Sequence, residues 1–410
     1  MTQLSPETVS VLDPATYGNG DPATFGLPLA QYRWMRDELP LVRQEFNNPM
    51  LVPAVWIVTR YEDIAYVDRN PELFSAAVGP PTAWAFSPIG DAVDAPSMLT
   101  RDGEAQSEHR RTVSSAFTPK MVRSFEEQFR AYAIDVVEKA LGLAEPFCFV
   151  EQIAHPLPML ALGDILGVPA EDRPKFFGFV DTFAAAFDPR VTRSPEEVFG
   201  AIQGLHEYSI YLRDLKRENP GDDIATMIAM ADQDDKFARG NITTLACGAA
   251  ESTVNSLSHA LHELMRNPDQ MAWLRERQDD IPMLAVHEMV RIASPFTHML
   301  RNATEDVELH GQVIPKGEPV AMMFASGNFD ERVIPDPDTF DLSRENNDHM
   351  SFGRGPHACL GKHIAMLEME ILFEELLKRT KDIRPAGDIS YVHDNYARGV
   401  FTLPVELVAA

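Results

Sequence analysis

One cysteine, Cys359, stands in the stretch Phe352-Gly353-Arg354-Gly355-Pro356-His357-Ala358-Cys359-Leu360-Gly361, and an apolar-periodic run from Ile364 to Leu377 follows at once. The glycines at 353, 355 and 361 let the backbone take positive φ and approach its neighbours more closely than a side chain would allow, so main-chain N–H groups can gather round one thiolate. A helix that begins beside the sulfur brings the positive end of its dipole, which is expected to lower the thiol pKa. A sulfur so prepared suits the role of axial ligand to haem iron, with Phe352 shielding it and His357 free to meet a propionate. The competing reading is a cysteine serving as a small buried hydrophobe. That role needs neither the flanking glycines nor the histidine.

A second constellation lies in the longest uninterrupted helical pattern, Asn241 to Arg266, where Gly248-Ala249-Ala250 precede Glu251, Ser252 and Thr253. Small residues let a helix approach a flat ligand, and a helical Ser or Thr hydroxyl can bond the carbonyl one turn back and loosen the ladder. A carboxylate among small and apolar residues needs a purpose or a partner, so Glu251 is a candidate proton carrier; the bland alternative is a salt-bridged surface acid. Glu288 and Arg291, three apart in a helical run, can pair. Gln106 and Arg110 fall one turn apart on one helix face, and Arg301 opens a run of alternating strands. For either arginine the bland alternative is a solvated surface side chain.

In their types, spacing and order these segments resemble the cytochrome P450 family, from about Leu29 onward. The Phe-Gly-x-Gly-x-His-x-Cys-x-Gly stretch is similar to the family's haem-binding loop, and Gly248 to Thr253 to its oxygen-binding signature. The resemblance implies a mainly α fold with a small β-sheet region, haem b lying between the long central helix and the helix of the cysteine loop. Residues 1–27 would be an irregular N-terminal arm and residues 28–410 a single domain. Cys359 would ligate iron. Gln106, Arg110, Arg301 and His357 would meet the propionates, with Phe352, Gly353 and Gly361 shaping the loop. Glu251, Ser252 and Thr253 would handle protons. Glu288 and Arg291 would lock the core; the family's usual basic third position holds Thr339, so Arg344 stands as the substitute. Three positions depart from the pattern. Gln106 stands where the family has His, Ala249 where it has Gly, and Ser252 where it has Thr, leaving a hydroxyl without the methyl that restrains its rotation.

The elements that must position these groups are legible in outline. The arm carries Pro14, Gly18, Gly20, Pro22 and Gly26, which predicts no regular structure before Pro28. Helical spacing covers Leu29 to Leu39, Tyr61 to Arg69, Ser124 to Leu143, Ile153 to Leu166 and Glu196 to Glu218, and Val55 to Thr59 reads as a strand. Asp222 and Asp223 cap a helix from Ile224. The long Pro- and aromatic-rich loop from Val78 to Thr100 is of the length that usually carries function. His393 to Val405 reads as a hairpin whose tip, near Gly399 to Phe401, reaches the pocket. Trp84, Phe86, Phe183, Phe187, Ala249, Phe296 and Met299 are the candidate substrate-binding residues.

Composition narrows the partners. With 62 acidic against 36 basic residues and a net charge of -26, nucleic acid and anionic membranes are disfavoured. Cys148, Cys247 and Cys359 lie far apart with no CxxC pair, which suggests neither a disulfide framework nor a zinc site and fits a reducing compartment. No signal-peptide pattern or long apolar run marks a membrane anchor, so a cytoplasmic protein is expected. The family likeness implies a monooxygenase that takes O2 as co-substrate and acts on a small to medium apolar molecule: a terpenoid, steroid or branched lipid, or alternatively an aromatic acid or phenol ether. Electrons would come from a ferredoxin and its NAD(P)H-dependent reductase, docking near Arg354, Lys362 and Arg111. Two other classes stay open, a peroxygenase using hydrogen peroxide and a non-catalytic haem-binding sensor.

Overall fold

The carboxylate of Asp234 accepts a hydrogen bond from the Phe237 N–H at 2.9 Å and so starts the central helix, Asp235–Arg266, six residues before the Asn241 expected from periodicity. The apolar stripe begins at Asn241, but the acidic cap and the helix dipole set the start earlier. Leu257, Ala260, Leu261 and Leu264 are wholly buried, because neighbours surround this helix: Pro195–Glu218, Met283–Ala293, Pro156–Leu166 and Lys362–Arg379. Each leucine so removed from water contributes about 1.5–3 kcal/mol. The computed structural model describes residues 5–49, 51–84, 95–143, 145–184, 186, 188, 190, 194–231 and 233–410.

Beside the helices lies a five-stranded sheet in the order Leu41–Glu45, Ala54–Val58, Pro319–Met322, Met299–Ala303, Phe74–Ser75. Ala54–Val58 runs parallel to Pro319–Met322 and the other pairs are antiparallel, with Arg301 opposite Val320. Three small sheets complete the β region among the described residues. In one, Pro404–Ala409 pairs with Thr380–Pro385 and Phe147–Cys148. The expected C-terminal hairpin, His393 to Val405, therefore lies three residues earlier in the chain. Its paired strands are Ser390–Tyr391 and Val400–Thr402, so Gly399 to Phe401 lie at or beside a strand and the turn before them forms the tip.

The arm expected to be irregular contains three single-turn helices, Pro6–Thr8, Pro14–Gly18 and Pro22–Thr24. Proline stands at the first helical position of each, where its missing N–H costs nothing, and Asp13 and Asp21 cap the second and third through the N–H groups of Ala15 and Ala23. The prolines read as breakers are starters. Val11, Leu12 and Tyr17 then anchor the arm in the core.

Behind the sheet and the central helix, Glu288 and Arg291 pair with both side chains at zero exposure, Nε to Oε2 at 2.7 Å and Nη2 to Oε1 at 2.8 Å. Arg344 Nε joins at 3.2 Å, which places it at the third corner. The remaining lone pairs of Glu288 take the Asp341 N–H and the Asn347 amide, while the two arginines donate to the carbonyls of Asn328, Pro335, Asp336, Pro337 and Thr339. A buried ion pair repays its desolvation only when its hydrogen-bonding capacity is filled in this way. Removing one partner leaves a charge stranded, so Arg291→Ala should lower unfolding stability by about 3–5 kcal/mol. Arg33→Ala, which breaks the half-exposed pair with Asp338, should cost less than about 1 kcal/mol. Urea unfolding of both variants checks this; equal losses would contradict it.

Candidate active site

The cysteine loop is shaped by one acid that sequence reasoning passed over. Asp68, near the end of helix Tyr61–Arg69, accepts the N–H groups of Arg354 at 2.7 Å and Gly355 at 3.1 Å through Oδ2, and Arg301 Nη2 at 3.3 Å through Oδ1. Gly353 takes φ +67°, and a Cβ on Gly355 would lie 1.8 Å from the Asp68 carbonyl oxygen. Gly361 differs from expectation. Its φ is -77° and it caps helix Lys362–Arg379, and a Cβ there would meet the sulfur at an ordinary contact distance of 3.9 Å, so neither backbone conformation nor space demands glycine. The Cys359 N–H donates to the Phe352 carbonyl at 2.7 Å, turning the chain so that the thiol faces inward. Cys359 has accessible surface although it lies deep in the protein, and that surface opens on an internal cavity.

The expected lowering of the thiol pKa is not the net outcome. Burial pushes the Cys359 thiol up, against the pull of the Gly361 and Lys362 N–H groups and the charges of Arg110 and Lys362. Desolvation of the anion exceeds what the helix start returns. A cation bound to the sulfur would displace the proton outright.

Cations collect at one end of the cavity. Arg110, half-buried on helix Gly103–Val113, donates to the Ala358 carbonyl at 2.7 Å, and Gln106 on the same face donates to the Pro356 carbonyl at 2.9 Å. Arg301, almost fully buried, projects from its strand; burial draws both guanidinium groups below the usual arginine range. His357, expected to be free, pairs through Nε2 with Asp102 at 3.3 Å, whereas its buried Nδ1 has no partner. Burial alone would raise Asp102, but hydrogen bonds from His357, Ser75, Ala76 and Ala77 hold it at about 2.

The opposite wall is the middle of the central helix. Gly248 and Ala249 have open surface there, and a Cβ on Gly248 would meet nothing within 4 Å. Ser252 Oγ donates to the Gly248 carbonyl at 3.1 Å. Thr253, the next hydroxyl, is bonded to the Glu368 carboxyl on the cysteine helix, a buried acid that sequence reasoning missed among the apolar residues of that run. Glu251 faces the cavity; burial, with a smaller contribution from Asp394, pushes it up to about 8. Phe183, Phe296 and Met299 also line the cavity. Trp84 does not. It stands behind the wall and donates from Nε1 to Asp394 at 2.8 Å, because the 81–84 segment is bonded into the sheet through Leu300 and Val52. Asp394 and Tyr396, in the turn before Val400–Thr402, line the cavity where Gly399 to Phe401 were expected. Phe86 and Phe187 lie outside the described residues. Of the cations named for docking, Arg354 pairs with Asp348 and Arg111 with Glu104, while Lys362 Nζ sits 5.5 Å above the Phe352 ring.

The chain is similar to known proteins over most of its length. A family model described as cytochrome P450 matches residues 213–381. Linalool 8-monooxygenase of Pseudomonas putida is 32% identical over 365 residues, covering 86% of this chain and 89% of that one. The chain belongs to the cytochrome P450 family. A steroid C26-monooxygenase of Mycobacterium tuberculosis is 31% identical over 387 residues, 92% of each chain. The solved structure of the Mycobacterium marinum P450 CYP268A2 in complex with pseudoionone superposes with a TM-score of 0.89 at 30% identity, covering 99% of this chain and 100% of that one. This P450 is accordingly a monooxygenase that uses haem b and O2. The residues present fit that cofactor: the Cys359 sulfur and the small residues of the central helix line one cavity, and two guanidinium groups and an unpartnered imidazole nitrogen at its end would take the carboxylate arms.

Two outcomes follow from this geometry. Gly355→Ala drives a methyl group into the Asp68 carbonyl, so haem bound per chain should fall severalfold while the far-UV circular dichroism stays helical; undiminished haem would show that the loop yields freely. Burial holds Glu368 at about 8 despite the Thr253 hydrogen bond. Its folded pKa lies above the unfolded value, so the folded state binds the proton more tightly and stability falls as pH rises from about 5 to about 8. Glu368→Gln should flatten that slope in urea unfolding, each pKa unit being worth roughly 1.4 kcal/mol. An unchanged slope would assign the pH dependence elsewhere.

Proposed function

We propose that this P450 oxygenates a C–H bond of a small to medium apolar molecule, a terpenoid or steroid in the first instance, with electrons from a ferredoxin and its NAD(P)H-dependent reductase in the cytoplasm. The observation that carries the reading is one cavity lined by Cys359, by Glu251 and Ser252 of the central helix, by Arg110 and Arg301 at one end, and by Leu162, Leu245, Phe183 and Phe296. Haem bound there supplies oxygen activation, which thiolate donation favours by promoting O–O cleavage.

Around it the chain's own residues do the rest. Cys359 would hold the iron and Arg110, Arg301 and His357 the propionates, while Gln106, which does not line the cavity, steadies the cysteine loop through the Pro356 carbonyl. Glu251, near 8, holds a proton at neutral pH that it can release toward the Ser252 hydroxyl and recover from solvent. Glu368, also near 8, offers a second proton through Thr253. Leu162, Leu245, Phe183, Phe296 and Met299 exclude water from the reacting carbon. The relatives named for linalool and steroids support the substrate class. With Arg111 and Arg354 locally paired, and Arg123 paired with Glu126, we assign the docking of an acidic ferredoxin to Lys362 and His363, in the groove that Val122, His287, Met366 and Glu370 also line, on the cysteine side. It opposes the net charge of -26 and would weaken with salt.

The test is the visible spectrum of reduced, carbon monoxide-treated protein, wild type and Cys359→Ser, with turnover by reductase, ferredoxin and NADH. A thiolate-type red-shifted Soret band lost in the variant, together with NADH-dependent hydroxylated product, is expected. No such band in haem-loaded wild type would overturn the assignment of Cys359, and product with hydrogen peroxide alone would favour a peroxygenase.

A further inference from the structure

Among the described residues two hydroxyls that line the cavity have no hydrogen-bond partner, that of Thr244 on the central helix and that of Tyr396 in the turn that carries Asp394. Tyr396 lies in the turn between Ser390–Tyr391 and Val400–Thr402. Its ring stacks on Phe296 with centroids 4.6 Å apart and 20° between planes, and meets His298 edge-on at 6.0 Å. Its N–H donates to Asp394 Oδ1 at 3.0 Å and its carbonyl accepts the Thr297 N–H at 2.9 Å. Phe296, in turn, bridges to Ala397. The ring is therefore held from both the stack and the main chain, and it has little freedom to turn away from the cavity it lines.

Among the described residues the Tyr396 hydroxyl has no hydrogen-bond partner, although the ring lies deep within the protein. Burial, with Glu251, Asp394 and Cys247 nearby, holds the phenol above its usual range, so it remains an O–H donor throughout the physiological span. Its neighbour Asp394 is already engaged by Trp84 and by the N–H groups of Tyr396 and Ala397. Tyr396 is partly buried and opens on the cavity, so its hydroxyl is available to a bound molecule, and a neutral hydrogen bond made there is worth about 0.5–1.5 kcal/mol net.

We infer that Tyr396 is a specificity-determining residue whose hydroxyl donates to an oxygen carried by the substrate, so that the preferred substrates are apolar skeletons bearing a hydroxyl or carbonyl rather than plain hydrocarbons. The inference rests on the reading of this cavity as the substrate chamber beside haem. A site built to bond a substrate oxygen discriminates against the analogue lacking it more sharply than an apolar pocket discriminates by size.

The test uses three ligands on one skeleton, menthol, menthone and p-menthane, and haem-loaded wild-type and Tyr396→Phe protein. Binding is read by titration calorimetry and by the ferric spin-state spectrum. Wild type should bind menthol and menthone about three- to tenfold tighter than p-menthane, the size of one neutral hydrogen bond. In Tyr396→Phe the gap should close while the affinity for p-menthane is kept or improved, which also shows that the pocket is intact. Equal affinities in wild type, a gap that persists in the variant, or no binding of any of the three would overturn the inference. The reduced carbon monoxide spectrum of the same preparations separates the two readings: a normal thiolate band with no oxygen preference sinks only the role of Tyr396, whereas a missing band sinks the assignment of the site.

Discussion

The Glu288–Arg291–Arg344 cluster is the constraint on which the site depends. Three charges at or near zero exposure are tolerable only if every lone pair and N–H is matched, and the partners that match them are main-chain carbonyls scattered from Asn328 to Thr339. The cluster thus converts an electrostatic demand into a fixed path for a segment with little secondary structure. That path runs on through Asn328, which accepts the Met350 N–H and donates to Ser351 at 2.8 Å, and delivers Phe352 to Cys359 to the cavity. A loop held by side chains from several elements can present a sulfur where regular structure would present a ladder of carbonyls.

Asp68 plays the matching part from the other side. One carboxylate serves the loop through two N–H groups and the sheet through Arg301, so the cysteine and a cavity-end cation share a single reference point. The close approach is why Gly355 tolerates no Cβ. Charge is also segregated within the cavity: guanidinium groups gather at one end, while on the central helix and in the Asp394 turn the acids sit in surroundings that keep Glu251 near 8. The low local dielectric that raises these carboxyls would also strengthen any hydrogen bond made to a bound molecule.

The Asp394–Tyr396 turn shows how a wall is built without a regular element. Asp394 is bonded by Trp84, Tyr396 and Ala397, and the Phe296–Tyr396 stack fills the space between the turn and the strand run. Trp84 contributes by holding that wall, from a position behind it.

By itself the sequence determined what depends on local chemistry: the glycine-rich cysteine loop, the small-residue stretch of the central helix, the three-residue spacing of Glu288 and Arg291, and helices such as Tyr61–Arg69 that the periodicity delimits to the residue. These were legible because periodicity, capping and spacing act within a few residues. The arm's short helices were misread because proline starts a helix as readily as it ends one. Tertiary structure alone decided the rest. Asp68 meets Gly355 across 287 residues, and Trp84 meets Asp394 across 310. The direction of the Cys359 shift depended on burial, which no local pattern reports. The same is true of Glu368 and Tyr396, which look like any acid in a helix or aromatic in a turn until packing removes water from around them. The physical reason is common to all of these: desolvation and long-range pairing belong to the folded surroundings, and the chain carries only the residues that will experience them.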